Sequence, residues 1–279
     1  MLSRSLDRKA RKTSILTVSV LAFCLIASSS ILVLSAHTVG AASTPAAKGA
    51  SLAVDGANLA GCGHSTNSCS TTLTTTHTND VIMVYTFESL DLQTSCTFTV
   101  QDTSGLIWNL RGSVSGRNDG TTGSNRDQNA EFWAQAASPL SSDTVTESIL
   151  GCASVQYGGE YNGLYAIGIS GAKFNSPFDS HNAQAVGAAG YGNTPSVSIS
   201  TTSSDDMIIG VAQQSSFGTL TPGAGFSVIL ATGPGGAASE FQIVRSPLTS
   251  LSVPFGDDTT WYWEELADAI VSSSNHGRS

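Results

Sequence analysis

Two stretches of the chain carry the same order of polar and apolar positions. Thr74-Thr75-Thr76-His77-Thr78-Asn79-Asp80-Val81-Ile82-Met83-Val84 is matched by Ser200-Thr201-Thr202-Ser203-Ser204-Asp205-Asp206-Met207-Ile208-Ile209-Gly210. Each runs from Thr and Ser through an Asx pair into an unbroken apolar segment. Alternation before the pair predicts a half-buried strand, and the apolar run after it predicts a strand covered on both faces. Asn and Asp tolerate the left-handed conformation and bond their own backbone, so the pair predicts a tight turn. The expected unit is a β-hairpin, used once in each half of the chain.

Further strands are predicted at short intervals. Ser95 to Val100 alternates, with Cys96, Phe98 and Val100 on one face. Residues 105–111 (Gly-Leu-Ile-Trp-Asn-Leu-Arg), 131–134 and 164–170 read as strands, as do 196–199, 226–230, 241–244 and 251–255. Pro254 predicts an edge position or a strand end, because it cannot donate to a ladder. Gly116 to Asn129 reads as a long exposed loop, and the segment from Ser176 to about Thr194 as a long connection. Trp261 to Val271 mixes helix-forming residues with Trp261, Trp263 and Val271; among strand neighbours it is expected to be a closing strand. Around a dozen strands without βα alternation predict an all-β antiparallel sandwich of jelly-roll type.

Composition supports that reading. Of 279 residues only 12% are charged and 40% are hydrophobic, with Gly, Ser and Thr abundant. The net charge of −9 hides a split: Arg4, Arg8, Lys9, Arg11 and Lys12 open the chain, while from Ala42 onward seven basic residues stand against twenty acidic ones. Phosphate binding needs a basic face, so nucleic acid is an unsuitable partner. The basic opening precedes the apolar run Ile15 to Ala36 and the small residues Val39-Gly40-Ala41-Ala42. Residues 1–42 are therefore expected to be a cleaved signal peptide or a retained signal anchor held by residues 15–36. Both place the rest of the chain outside the cell. A linker at 43–50, a β-domain at 51–271 and a polar tail at 272–279 follow.

Export bears on the cysteines. Cys62, Cys69, Cys96 and Cys152 remain outside the targeting segment, and an oxidising compartment implies two disulfides with three conceivable pairings. The favoured pairing is Cys62–Cys69, a small loop, with Cys96–Cys152 crossing the fold. The spacing lacks a C-x-x-C and the histidines lie apart, which disfavours zinc.

Several short pieces carry a family resemblance: Thr-Thr-x-x-Asn-Asp at 75–80, Gly-Leu-Ile-Trp-Asn-Leu-Arg at 105–111 and Phe-Trp-Ala at 132–134. Ile-Ser-Gly-Ala at 169–172, Ser-Pro-Phe-Asp at 176–179, Asp-Asp-Met-Ile-Ile-Gly at 205–210 and Gly-Ala-Gly-Phe at 223–226 extend it. With these the chain resembles an uncharacterised family of secreted or cell-surface β-sandwich domains from archaeal and bacterial exported proteins. The resemblance implies a fold and a location, and no activity. The segment from Cys152 to Gly163 departs from the pattern as an insertion.

Candidate chemistry is sparse. Gly168-Ile169-Ser170-Gly171 approaches a nucleophile elbow, but Lys173 to Pro177 cannot open the helix that an elbow needs. Leu59-Ala60-Gly61-Cys62 spells a lipoprotein box too far from the apolar run to serve as one. Asn118, Asp119, Asn125, Asp127 and Asn129 offer oxygen ligands, making Asp119 and Asp127 the weak candidates for calcium; no other cofactor is implied. Asp257-Asp258 and Glu264-Glu265 are adjacent acids whose side chains point to opposite faces of a strand, which is not glycosidase geometry. They are expected to be solvated. Trp108, Trp133, Trp261 and Trp263 could stack on sugars, and Trp261 and Trp263 share a face, so that pair is the candidate ligand platform. No catalytic residue stands out. The expected role is a non-catalytic adhesive or structural domain at the cell surface, with a lectin-like carbohydrate-binding module as the alternative and an extracellular hydrolase behind both. The expected partner is an extracellular ligand, a glycan or a protein, together with the membrane where residues 1–42 are retained.

Overall fold

The computed structural model describes residues 51–63, 67–90, 96–117, 126–151, 161–214, 218–231 and 236–274. The expected targeting segment 1–42 and linker 43–50, together with Cys152 and Asp119, lie outside them. Every named element is a strand.

The first half of the domain holds two antiparallel sheets. One has five strands in the order β1 (Ala53–Gly63), β8 (Tyr161–Ser170), β3 (Asp80–Leu90), β6 (Arg126–Ala136) and β5 (Asn109–Arg117); the other has β2 (Ser68–Leu73), β7 (Asp143–Leu150) and β4 (Thr97–Asp102). The second half repeats the scheme strand for strand. Its five-stranded sheet runs β9 (Val186–Gly192), β16 (Trp261–Val271), β11 (Asp206–Gln214), β14 (Ala237–Val244) and β13 (Ser227–Ala231). Its smaller sheet is β10 (Ser196–Ile199), β15 (Leu251–Asp257) and β12 (Leu220–Pro222). The domain is an antiparallel β-sandwich, doubled.

The two five-stranded sheets meet face to face in the middle. Val81, Met83, Tyr85 and Phe87 of β3 and Ile167 and Ile169 of β8 pack with Met207, Ile209 and Val211 of β11 and Leu266 and Ile270 of β16. On their outer faces the same strands cover the smaller sheets: Ile82 and Val84 with Leu73, Phe98 and Val145, and Ile208 with Val197, Ile199 and Val253. Central strands buried on both faces carry near-continuous apolar runs, which accounts for Val81 to Tyr85 of β3 and Met207 to Val211 of β11. β1 lies against β13, and β5 against β9, so the halves are related as by a two-fold axis between them.

The repeated stretch is a corner, not a hairpin. β2 and β3 belong to different sheets, as do β10 and β11. The corners are fixed alike. The Thr75 amide donates to the Leu140 carbonyl (2.9 Å) and the Leu140 amide to the Thr75 hydroxyl (3.0 Å). Thr201 and Leu248 repeat both bonds at 3.0 and 3.1 Å. The Ser142 amide donates to the Thr74 hydroxyl, and that of Ser250 to the Ser200 hydroxyl, each at 3.0 Å. Asn79 and Asp205 both take φ 61°, the left-handed conformation expected of them. A chain that switches sheets needs its polar Thr/Ser positions for these cross-links, and a short alternating pattern cannot distinguish that use from a hairpin arm.

Other expectations change as well. β5 starts at Asn109, later than expected, and continues to Arg117 through residues read as loop. Asp127 and Asn129 sit inside β6, buried. The connection after Ser176 contains edge strand β9, whose sequence VGAAGYG shows no apolar alternation. Its small residues serve close approach: a Cβ on Gly112 would stand 2.9 Å from the Ala185 Cβ, and one on Gly187 3.0 Å from Val114. Pro254 lies in β15, the middle strand of its sheet; pairing with β10 ends at residue 254 and pairing with β12 begins at 255, so the missing N–H falls between ladders. The closing strand is observed as expected.

Gly56 marks a register shift in β1 and has φ 146°, and an added Cβ would collide with the Thr74 carbonyl. Gly56→Ala is expected to destabilise the domain by about 1–3 kcal/mol, combining backbone strain with the clash. A lower urea midpoint with unchanged steepness is the expected measurement.

Candidate functional site

At one end of the β9–β16 edge three aromatic rings form a ledge. Tyr262 is the direct partner of Tyr191 across the two strands, and their rings stand 4.8 Å apart. Trp261 meets the Tyr262 ring edge-on at 6.3 Å. Tyr191 is 61% exposed and Trp261 38%. Trp263 is half-buried, its ring lying where any side chain at Gly190 would be. The rim is polar: the Asp257 amide donates to the Asn193 carbonyl (3.1 Å), which joins the turn after β9 to the turn before β16. Asn193, Asp258 and Thr260 are exposed there.

Of the expected platform, Trp261 belongs to the ledge, whereas Trp263 packs over Gly190. Tyr191 and Tyr262 were missed. Tyr262 carried a signal, since it interrupts the Trp-x-Trp pair, whereas Tyr191 lay in a segment read as a connection. A second exposed apolar area lies on the first half. Ile107 is 81% and Leu110 62% exposed, beside a groove of about 320 Å³ lined by Leu106, Asn109, Trp133 and Gln135. Trp133 is held by an edge-on contact with Phe178 at 5.2 Å.

The acids are the larger surprise. Glu264 and Glu265, expected to be solvated, are both fully buried, on opposite faces of β16 as their adjacency requires. Glu264 lies in the central layer against Asp127, the residue read as a calcium candidate in a loop. Burial, then the Asp127 charge, pushes the Glu264 carboxyl well up. Glu265 lies under the smaller sheet with Glu240; burial and that neighbour raise it to about 9, and burial raises Glu240 to about 7 against a bond from the Gly223 amide. Glu147 is likewise raised by burial and by Glu88. Among the described residues no group of three or more His, Cys, Asp or Glu is arranged to hold a metal ion.

One buried acid cluster includes a base. A register shift in β5 between Leu110 and Gly112 turns Arg111 into the central layer. Its guanidinium forks Asp268 of β16 (Nε to Oδ2 2.5 Å, Nη2 to Oδ1 3.1 Å), donates to the Asn182 and Ala183 carbonyls, and lies 4.1 Å over the Phe178 ring. Glu131 sits against Asp268 and beside Tyr85. Burial and the Asp268 charge push the Glu131 carboxyl well up, and burial raises Asp268 too, against the hydrogen bond and charge of Arg111, so Glu131 is the member that holds its proton more firmly.

The cysteines behave as their spacing suggested where they are described. Cys62 of β1 and Cys69 of β2 form a disulfide with Cα atoms 5.5 Å apart, tying the two sheets of the first half. Cys96 is disulfide-bonded too, and Cys152, its expected partner, lies outside the described residues. Ser170 ends β8 with its hydroxyl on the Ala53 carbonyl (3.5 Å), and no helix follows. Comparison with family models, with curated proteins and with solved structures returns no match.

Proposed function

We propose that this chain is an exported, non-catalytic binding domain that engages glycans on its aromatic ledge, in an adhesive role at the cell surface. The observation that carries the reading is the exposure of Tyr191 and Trp261 around Tyr262 on an otherwise polar rim. Flat rings with polar neighbours suit a sugar, which offers C–H faces for stacking and hydroxyls at its edge. The position of the acids also supports binding over hydrolysis. Glu131, Glu147, Glu264, Glu265 and Asp268 are buried between sheets, where no polymeric substrate can reach them. Each half reads as jelly-roll-like, since strands 1, 8, 3 and 6 face strands 2, 7 and 4 with the fifth added to the larger sheet. Export rests on the basic opening and the apolar run at 15–36.

Titration of the purified chain with soluble polysaccharides of differing sugar composition tests the ledge. At least one is expected to quench tryptophan emission saturably. Trp261→Ala and Tyr191→Ala should each weaken that binding roughly three- to tenfold, the worth of one aromatic contact. Quenching that survives both changes would place the ligand elsewhere, and an absence of response to any glycan would leave a protein ligand as the adhesive partner. A non-reducing intact mass from separated membrane and released fractions tests whether residues 1–42 are retained.

A further inference from the structure

Both halves place a pair of carboxyl groups at the same point of the same corner. In the first, Asp55 of β1 accepts the amides of Thr76 (2.7 Å) and His77 (2.8 Å) and the Thr76 hydroxyl (2.5 Å), with His77 Nδ1 2.8 Å away. In the second, Asp179 accepts the amides of His181 (2.8 Å), Thr202 (3.0 Å) and Ser203 (2.8 Å) and the Thr202 hydroxyl (3.0 Å). Against each stands a second carboxyl that opens a central strand, Asp80 of β3 and Asp206 of β11. Both are 0% exposed, and neither oxygen of either receives a hydrogen bond of good geometry. The charged groups facing Asp80 are Asp55 and His77, and its strand partner is Ala136. Those facing Asp206 are Asp179 and Asp205, the latter held by Arg245 at 2.8 Å; its strand partners are Val244 and Val271.

We propose that these corners are proton locks: one proton shared within each carboxyl pair ties Asp55 to the start of β3 and Asp179 to the start of β11, so that the fold is firmest in acid and both corners loosen as the medium becomes neutral or alkaline. Two touching carboxylates cannot both ionise cheaply, and the one with several donors keeps the charge while its partner, with at most the Thr75 hydroxyl at Asp80, keeps the proton. Burial alone would raise Asp55, but the Thr76 hydroxyl and the His77 and Thr76 amides outweigh it and hold the carboxyl well below the usual range. Asp179 is lowered in the same way, its burial outweighed by the amides of His181, Ser203 and Thr202. Burial and then Asp55 raise Asp80 to about 6; burial and then Asp179, with Asp205 adding to it, raise Asp206 to about 8.

The signs follow by linkage. The raised acids stabilise the fold fully below their ordinary pKa of about 4, and that stabilisation is lost as pH climbs through about 6 at one corner and about 8 at the other. The lowered acids lose their contribution only as pH falls below about 4. Both locks are therefore closed in mildly acidic medium, the setting for which an exported domain of this construction is suited.

The test compares the full chain with Asp80→Asn, Asp206→Asn and the double variant in urea at pH 5 and pH 9. An amide keeps a donor facing Asp55 or Asp179 and cannot ionise. Each pKa unit is a tenfold factor, so each substitution is expected to remove roughly a tenfold or greater share of the fall in the folding constant between the two pH values. A double variant with the wild-type pH slope overturns the proposal. Should the variants fail to fold, carboxyl-¹³C aspartate labelling of the wild-type chain decides. Two signals titrating near 6 and near 8 support the locks, and their absence overturns them.

Discussion

Arg111→Met is expected to destabilise the domain by about 3–5 kcal/mol at pH 7, the usual cost of stripping one partner from a buried ion pair. Arg111 is the base that joins the two halves. It leaves β5 at an irregularity, crosses the central layer, and satisfies Asp268 of β16 together with the Asn182 and Ala183 carbonyls. Without it, Asp268 and Glu131 become two acids at 0% exposure with no cation between them. Methionine preserves most of the volume and the contact with Phe178, so a cavity contributes little and the charge accounts for the loss. The dependence on pH separates this from a packing defect. Both carboxyls are pushed up further once the guanidinium is gone, so they are protonated in acid and the deficit shrinks toward pH 4. Denaturant midpoints of both chains at pH 4, 7 and 9 check this. An equal deficit at every pH would assign the loss to packing.

The sequence showed several of the strands that carry a one- or two-sided apolar pattern, and for a physical reason; β1, β2 and β7 went unread. Val81 to Tyr85 and Met207 to Val211 are apolar runs because both of their faces are covered, and Thr97 to Val100 alternates because one face is wet. The closing strand at Trp261 to Val271 was legible because every neighbour was a strand. What the pattern did not reveal is which sheet a strand joins. Thr74 to Asn79 reads like a hairpin, yet its hydroxyls and amides serve a corner between sheets. β9 escaped because Gly187, Ala188, Ala189 and Gly190 were selected for close approach rather than apolar burial. The aromatic ledge was half legible: Trp261 stood out, whereas Tyr191 depended on a strand with no signal. The buried acids were invisible. An acidic residue in a polar-looking segment reads as solvated, and only the second layer of strands reveals that Glu264, Glu265, Asp127 and Asp268 have no access to water.

Those acids predict that stability falls as pH rises, and Glu265 with Glu240 should show it. The two side chains flank β11 on the face covered by the smaller sheet, Glu265 paired through Ala212 and Glu240 through Gly210. Burial and mutual repulsion raise Glu265 to about 9, and burial raises Glu240 to about 7. Because both folded-state values exceed the ordinary carboxyl value, their contribution is complete below about pH 4.5 and is lost as pH climbs through about 7 and then about 9. At about 1.4 kcal/mol for each pKa unit, and allowing for relaxation of the site, the pair should cost the fold on the order of 2–4 kcal/mol between pH 5 and pH 9. Domains hold only about 5–15 kcal/mol in total, so a loss of that size is visible as a marked drop in melting temperature. Glu265→Gln removes the ionisation while keeping the shape. The variant should match the wild type at pH 5 and exceed it at pH 9, and equal melting temperatures at pH 9 would show that Glu265 gives up its proton without strain. The acids at the corners, between the halves and beneath the smaller sheets all point the same way. Each carboxyl pair is compatible with burial only while it holds a proton, so the architecture that hides them links the integrity of the sandwich to the acidity of the medium.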